Sequence, residues 1–292
     1  MPPVPGVAGV RTAVAVSPHL DDAVFSAGGV LALLSRTGWH VRVVTCFTAS
    51  VDGPCPFALS TQLDKGLPPD VDYMALRRAE DRAAQQRLGT LRPVHLPLPE
   101  APHRGYDSPS KLFRPPRPDD TAEAELRRLL HHHVASADLV LAPQGIGGHV
   151  DHVLTARAVA AAAPSPRIGW WRDMPYAVRA PQPETGARHG MPNGTSEVTV
   201  DIGAVLADKT AAAQCYATQL DFQFGGVGRT GTVLSSAARS EALRAGESYM
   251  AGESLRAGHA ARRMLEEYAL YGGLGRAAGS AAGRSSAPGR CG

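Results

Sequence analysis

Short apolar runs recur along this chain, each breaking off into a polar turn ahead of a helix-length amphipathic stretch. That alternation admits few folds. Arg11–Ser17 (RTAVAVS), Val41–Phe47 (VRVVTCF), Pro93–Leu98 (PVHLPL) and Asp138–Ala142 (DLVLA) read as strands. Between them Ser26–Thr37, Tyr73–Leu88 and Thr121–Val134 have the apolar spacing of helices, with Gly38 and Gly89 as stop signals, and a further helix is expected to start near His149. Parallel strands need a crossover connection of about a dozen residues or more, which these helical stretches supply. The pattern therefore predicts an α/β fold with a mostly parallel sheet.

The remainder is less regular. Arg167–Trp171 and Glu197–Ile202 are weaker strand candidates, and Ala204–Gln219 and Leu255–Leu270 are expected to be helical. Residues 48–72 and 99–119 are rich in Pro, Gly and Asp and are read as two long loops. Loops of that length inside a compact domain usually form lids or binding surfaces. Residues 1–274 are expected to form a single domain. The Gly-, Ala-, Ser- and Arg-rich tail from 275 to 292 lacks the apolar content to bury a core and is expected to be disordered.

Charge and cysteine usage exclude several partners. With 292 residues and a net charge of +3, the chain has scattered basic residues and no concentrated patch of the kind a phosphate backbone demands, so no nucleic-acid partner is expected. The four cysteines (Cys46, Cys55, Cys215 and Cys291) form no CxxC pair. The opening MPPVPGVAGVRTAVAVS lacks the basic and apolar regions of a secretory signal. No run approaches the ~20 apolar residues that span a bilayer. A cytoplasmic protein without a membrane partner is expected, and a homo-oligomer is compatible with the sequence.

Two segments carry the chemistry. Ser17-Pro18-His19-Leu20-Asp21-Asp22 and Gly147-Gly148-His149-Val150-Asp151-His152 each follow a predicted strand, where open α/β sheets place their ligands. Within each segment the outer pair, His19 with Asp22 and His149 with His152, has the spacing to converge on one point at a helix start. A catalytic zinc site takes three nitrogen or oxygen ligands and leaves a position for water. His19, Asp22 and His152 fill that set. Asp21 is left as a carboxylate suited to general base, and His149 as an imidazole suited to stabilising or protonating the reacting groups.

These residues resemble the PIG-L/LmbE-like metal-dependent deacetylases, whose motifs run roughly A-H-P-D-D-E and G-H-x-D-H. The second is matched at Gly148–His152; in the first, Leu20 stands for Pro and Ala23 for Glu. Arg77-Arg78-Ala79-Glu80 with Leu88-Gly89, and Lys209 with Tyr216-Ala217-Thr218-Gln219, resemble two further helices of the family. The resemblance implies a Rossmann-like fold with helices on both faces of the sheet and one divalent metal per chain, Zn2+ or alternatively Fe2+. It also implies hydrolysis of an N-acyl amide, foremost N-acetyl, on an amino-sugar-containing small molecule such as an N-acetylglucosaminyl glycoside or antibiotic intermediate. In that scheme Asp21 takes the proton of the attacking water, a protonated His149 stabilises the oxyanion with the metal, and Asp151 orients or tunes His149.

Arg77, Arg78, Trp171 and Tyr176 are the candidate substrate contacts, the last two as a sugar-stacking wall, and Glu80 is a candidate partner for either arginine. His131-His132-His133 closes a predicted helix and is read as structural, cations being favoured at a helix carboxyl end. Gly28-Gly29 lacks the G-x-G-x-x-G dinucleotide pattern. Two other functions fit the residues: an amidase acting on mycothiol-type S-conjugates, and a catalytically silent binding module on the same fold.

Overall fold

The computed structural model describes residues 9–179, 189–245 and 251–266. In chain order the elements are β1 (Thr12–Ser17), α1 (Asp22–Arg36), β2 (His40–Thr45), α2 (Pro56–Leu63), α3 (Tyr73–Leu88), β3 (Val94–His95), α4 (Pro109–Leu112), α5 (Ala122–Val134), β4 (Leu139–Pro143) and α6 (Val150–Ala162). They continue with β5 (Ile168–Trp171), α7 (Tyr176–Arg179), β6 (Ser196–Asp201), α8 (Leu206–Ala213), α9 (Ala217–Phe224), α10 (Val227–Arg244) and β7 (Gly252–Ala257). Short 3-10 turns include Ala101–Arg104. The tail 275–292 lies outside the described residues.

A 7-stranded sheet has the order β3-β2-β1-β4-β5-β7-β6. β1 pairs in parallel with β2 and β4, β2 with β3, and β4 with β5. β7 runs antiparallel to β5 and to β6. The strand order reverses at β1 and β4, so the crevice at their carboxyl ends is where a doubly wound sheet binds its ligand. Both motif turns leave the sheet there.

Burial on two faces explains why these strands are almost wholly apolar. Ala13, Ala15, Val41, Val43, Leu139 and Leu141 point to one face, under α1, α3 and α8 to α10. Val14, Val16, Val44, Val140 and Ala142 point to the other, under α5 and α6. The two tryptophans of β5 follow the same alternation, Trp171 on the first face and Trp170 on the second.

Several expectations need correction. α1 begins at Asp22 rather than Ser26; the expected start lies next to a break at Ala27 (φ −123°, ψ 16°). The Glu253 carboxylate closes that break, accepting from the Gly29 and Val30 N–H groups at 2.9 and 2.8 Å, while Lys209 Nζ donates to it at 2.5 Å. Gly29 serves packing: a Cβ there would stand 2.6 Å from Ile202 Cγ2. The helix expected over 255–270 is in its first part strand β7, with helix at 259–266 and residues 267–270 outside the described residues. The helix expected over 204–219 is split into α8 and α9. The 48–72 loop contains α2, and the 99–119 loop contains the Ala101–Arg104 turn and α4. α10 had no counterpart in the sequence reading; it buries Thr230, Leu234, Ala238 and Ala242, a narrow stripe of mostly small residues on a polar helix. Among the described residues, no helix is long and apolar enough to cross a membrane.

Candidate metal centre

The turn after β1 is built by its own polar groups. Ser17 Oγ donates to the His19 carbonyl at 2.6 Å and accepts the Ala23 N–H at 3.0 Å, which closes the chain into α1. Asp22, the first residue of that helix, accepts the His19 N–H on Oδ2 at 2.8 Å. The same oxygen lies 3.1 Å from His19 Nδ1 and 3.2 Å from His152 Nε2. Two imidazole nitrogens and a carboxylate oxygen from separate strand ends therefore meet at one place.

The turn after β4 holds the second half. His149 caps α6, its Nδ1 accepting the Asp151 N–H at 3.2 Å. Gly147 in that turn has φ +90°, and a Cβ on it would stand 2.7 Å from the Tyr176 ring, so backbone conformation and the ring's approach both require glycine.

The donor set fits a divalent ion. Ligand atoms ~2.0–2.1 Å from a tetrahedral centre are roughly 3.3 Å apart, close to the 3.1 and 3.2 Å separations seen here. His152 Nε2 is fully buried without a hydrogen-bond partner of good geometry, although it faces Asp22. A buried polar atom left unpaired in this way costs stability unless something satisfies it. A second group, His19, His149 and Asp151, also has its ligand atoms within 4.8 Å of one another. Its carboxylate is already taken: Asp151 Oδ1 accepts from Arg104 Nη2 at 2.6 Å, and Oδ2 contacts the Ala101 N–H at 3.1 Å and His19 Nε2 at 3.0 Å.

Both imidazoles of this cluster are held by carboxylates behind them. Asp151 lies against His19 Nε2, and Asp173 against His152 Nδ1 at 2.7 Å. Such contacts fix the ring orientation and raise ligand basicity. Burial pulls His152 down, but Asp22 and Asp173 outweigh it and raise its pKa to about 9. His19 is raised likewise, with burial opposed by Asp151 and Asp22. For Asp22, burial is outweighed by the two histidines, which hold it well below the usual carboxylate range. The Asp151 carboxylate thus hydrogen-bonds His19, whereas His149 meets the Asp151 N–H and feels that carboxylate only through its charge.

Asp21 has a different environment. Burial, helped by Asp22, raises its pKa to about 6 against the pull of Arg77 and His19. Its Oδ1 accepts from Arg77 Nη2 at 3.3 Å, and Arg77 Nη1 donates to Glu100 at 2.5 Å. His149 is pushed to about 3, chiefly by burial, with His19 and His152 adding to the effect. Asp151 and Asp22 oppose that shift, but its direction favours the neutral ring over the imidazolium expected. With Nδ1 accepting a backbone N–H, its ring proton resides on Nε2.

The candidate substrate contacts divide. Tyr176 stands at the site, perpendicular to His152 with ring centroids 5.4 Å apart. Trp171 does not: it is 1% exposed and belongs to the core, because the pleat of β5 turns it inward. Arg77 is buried and committed to Asp21 and Glu100, so it braces the carboxylate instead of facing solvent. Arg78 ties down the 48–72 segment through the Thr48 carbonyl and Ser50 Oγ. Glu80 pairs with neither arginine; it accepts from the N–H and hydroxyl of Thr218. His131–His133 occupies the last turn of α5, as read.

The sequence does not single out Arg104, Glu100 or Phe113, and Asp173, in the stretch Trp170–Asp173 after a strand, carries no sign there of its contact with His152. The Phe113 ring lies 5.5 Å from His149 and 6.0 Å from Tyr176. The first three share only the proline-rich loop that carries them. Beside Glu100, a cleft of about 230 Å3 is lined by the 49–54 and 69–74 segments together with Pro102 and His103.

Comparison with known proteins extends this picture. The family described as PIG-L, GlcNAc-PI de-N-acetylase, matches residues 14–163. The 2'-N-acetylparomamine deacetylase of Streptomyces fradiae is 32% identical over 216 residues, 70% of this chain and 72% of that protein. The 1D-myo-inositol 2-acetamido-2-deoxy-alpha-D-glucopyranoside deacetylase of Corynebacterium glutamicum is 28% identical over 250 residues, 78% of this chain and 81% of that protein. The crystal structure of the zinc-inhibited form of teicoplanin deacetylase superposes with a TM-score of 0.68 at 26% identity, covering 84% of this chain and 97% of that one.

Proposed function

The chain belongs to the PIG-L family of GlcNAc-PI de-N-acetylases, and from that premise we propose that it hydrolyses the N-acetyl amide of an amino sugar carried on a small natural product. The products are acetate and a free amine. The observation that carries this reading is the convergence of His19, Asp22 and His152, with the Asp21 carboxyl buried next to them. The relatives' names point the same way, one specifying 2'-N-acetylparomamine and the other a 2-acetamido-2-deoxyglucopyranoside.

His19, Asp22 and His152 are assigned as ligands of one divalent ion. Zinc suits two imidazoles and a carboxylate, and Fe2+ accepts the same donors. When bound there, such an ion supplies Lewis-acid polarisation of a carbonyl and lowers the pKa of water towards ~7.

The protein's own groups supply the proton transfers. Asp21, raised to about 6, is ionised at neutral pH yet basic enough to take a proton from the attacking water. Arg77 keeps its Oδ1 in place. His149 acts as a neutral donor, presenting Nε2–H to the carbonyl oxygen as negative charge develops on it. Asp21, now protonated, returns that proton to the nitrogen as the C–N bond breaks. One proton is accepted and one returned, so the carboxylate is regenerated.

The test is acetate release from a panel of N-acetyl sugars that includes 2'-N-acetylparomamine, with Zn2+-loaded and Fe2+-loaded protein compared. Both ions are needed because one relative has a zinc-inhibited form. Asp21→Asn should retain metal and lose about 10²–10⁴ in kcat. Near-normal turnover in that variant would show that another group is the base.

A further inference from the structure

The 99–120 segment is pinned at its base. Arg104 bridges two carboxylates, donating to Asp151 at 2.6 Å and to Asp120 at 3.2 Å. Tyr106, buried in the core, donates its hydroxyl proton to Asp120 at 2.9 Å and accepts the Arg117 N–H at 2.9 Å. The two limbs are thus tied to each other and to the carboxylate that orients His19. Between the ties, Leu112 packs inward on the core while its neighbour Phe113 remains 46% exposed.

An aromatic ring left half in water on a well-anchored loop gives up burial that it could have had. Here its buried part lies against two residues of the site. Phe113 meets His149 nearly at right angles (87°) and Tyr176 at 72°, and Tyr176 in turn stands at 90° to His152. Phe113 and Tyr176 therefore form one aromatic wall beside the proposed oxyanion donor and a proposed ligand, with free ring surface at its outer member. The same loop carries exposed polar groups, Ser110 and the Asp107–Lys111 pair. A flat apolar ring surface on a loop that also offers hydrogen-bonding groups suits a pyranose, whose C–H face is apolar and whose edge carries hydroxyls.

Resting on the deacetylase reading, we propose that Phe113 is a specificity-determining residue, the platform on which the pyranose ring of the N-acetylated sugar stacks while its amide reaches the metal centre. It acts in binding, not in proton transfer. The aromatic wall is thus made by Phe113 with Tyr176, and Trp171 has no part in it.

The experiment compares the metal-loaded wild type with Phe113→Ala, Phe113→Leu and Phe113→Tyr on two substrates. One is a methyl glycoside of N-acetylglucosamine, and the other is N-acetylethanolamine, which has the amide but no ring. Binding of methyl glucosaminide, the product, is measured in parallel by calorimetry. Phe113→Ala and Phe113→Leu should raise KM for the sugar, and Kd for the product, about three- to ten-fold. Phe113→Tyr should restore both, and the acyclic amide should be unaffected. Equal KM for the sugar in all four proteins would overturn the proposal and leave the deacetylase reading intact. A fall in kcat on both substrates at constant KM would also overturn it, showing that Phe113 only holds His149. If the wild type turns over neither substrate and binds no sugar, the deacetylase reading fails and this proposal with it.

Discussion

Asp173 offers the sharpest test of how this centre is held. It is fully buried, 2.7 Å from His152 Nδ1 and 3.0 Å from the Ile146 N–H through its two oxygens. Replacing it by Asn leaves one carbonyl oxygen for two donors. If that oxygen stays on Ile146, the amide NH2 faces His152 Nδ1 and favours the tautomer with its proton on Nε2, the nitrogen turned towards Asp22. That nitrogen then cannot coordinate an ion until the tautomer is reversed. If the oxygen stays on His152, a buried backbone N–H loses its acceptor at a cost of about 1–3 kcal/mol. Loss of a carboxylate behind a metal-bound histidine typically costs 10–100-fold in affinity, or about 1.4–2.7 kcal/mol. Asp173→Asn should therefore weaken Zn2+ binding about 10–100-fold in competition with a chromophoric chelator. Its stability in EDTA, read by urea denaturation, should fall by no more than about 3 kcal/mol. A metal Kd within two-fold of wild type, with the same loss of stability, would refute the argument and leave Asp173 a packing residue.

Three other outcomes follow from the geometry. The rate of wild type on an N-acetyl sugar should rise with pH through about 6 as Asp21 loses its proton, with the inflection displaced downwards by a bound dication; a flat profile between pH 4.5 and 7 would remove Asp21 from the reaction. Trp171→Ala should cost about 3–5 kcal/mol of stability by urea denaturation, with KM little changed, since the ring is core and not wall; a selective rise in KM would return it to the site. Lys209→Met should cost about 3–5 kcal/mol, because it leaves the Glu253 carboxylate buried without its ammonium partner. Stability like that of wild type would show that the two N–H groups of α1 suffice for Glu253.

What could be read from the sequence was what neighbouring residues decide among themselves. A strand buried on both faces must be apolar, so β1, β4 and the buried second half of β2 announce themselves. Side chains three residues apart on a strand-to-helix turn share one side, so His19 with Asp22, and His149 with His152, are visible in the sequence as pairs. The converse is equally instructive. The second half of β7 falls within an expected helix, since GESLRA has no apolar run to mark a strand; its Glu253 is buried in company with Lys209, 44 positions away. α10 escaped notice because its buried stripe is built of Thr and Ala as well as Leu.

Which imidazole Asp151 holds, what Asp173 does and where Phe113 points were decided by the tertiary structure alone. Asp151 and His149 are two positions apart, yet the carboxylate meets His19, 132 positions away, because α6 starts beneath the turn that follows β1. The charge on His149 was likewise undecided until its burial was known, since an imidazole with a pKa of ~6.5 in water carries either state near neutrality. The local pattern determined which donors could meet at the sheet's carboxyl edge. Their partners, protonation states and exposure depend on which distant segments close over them, and short-range spacing holds no record of that.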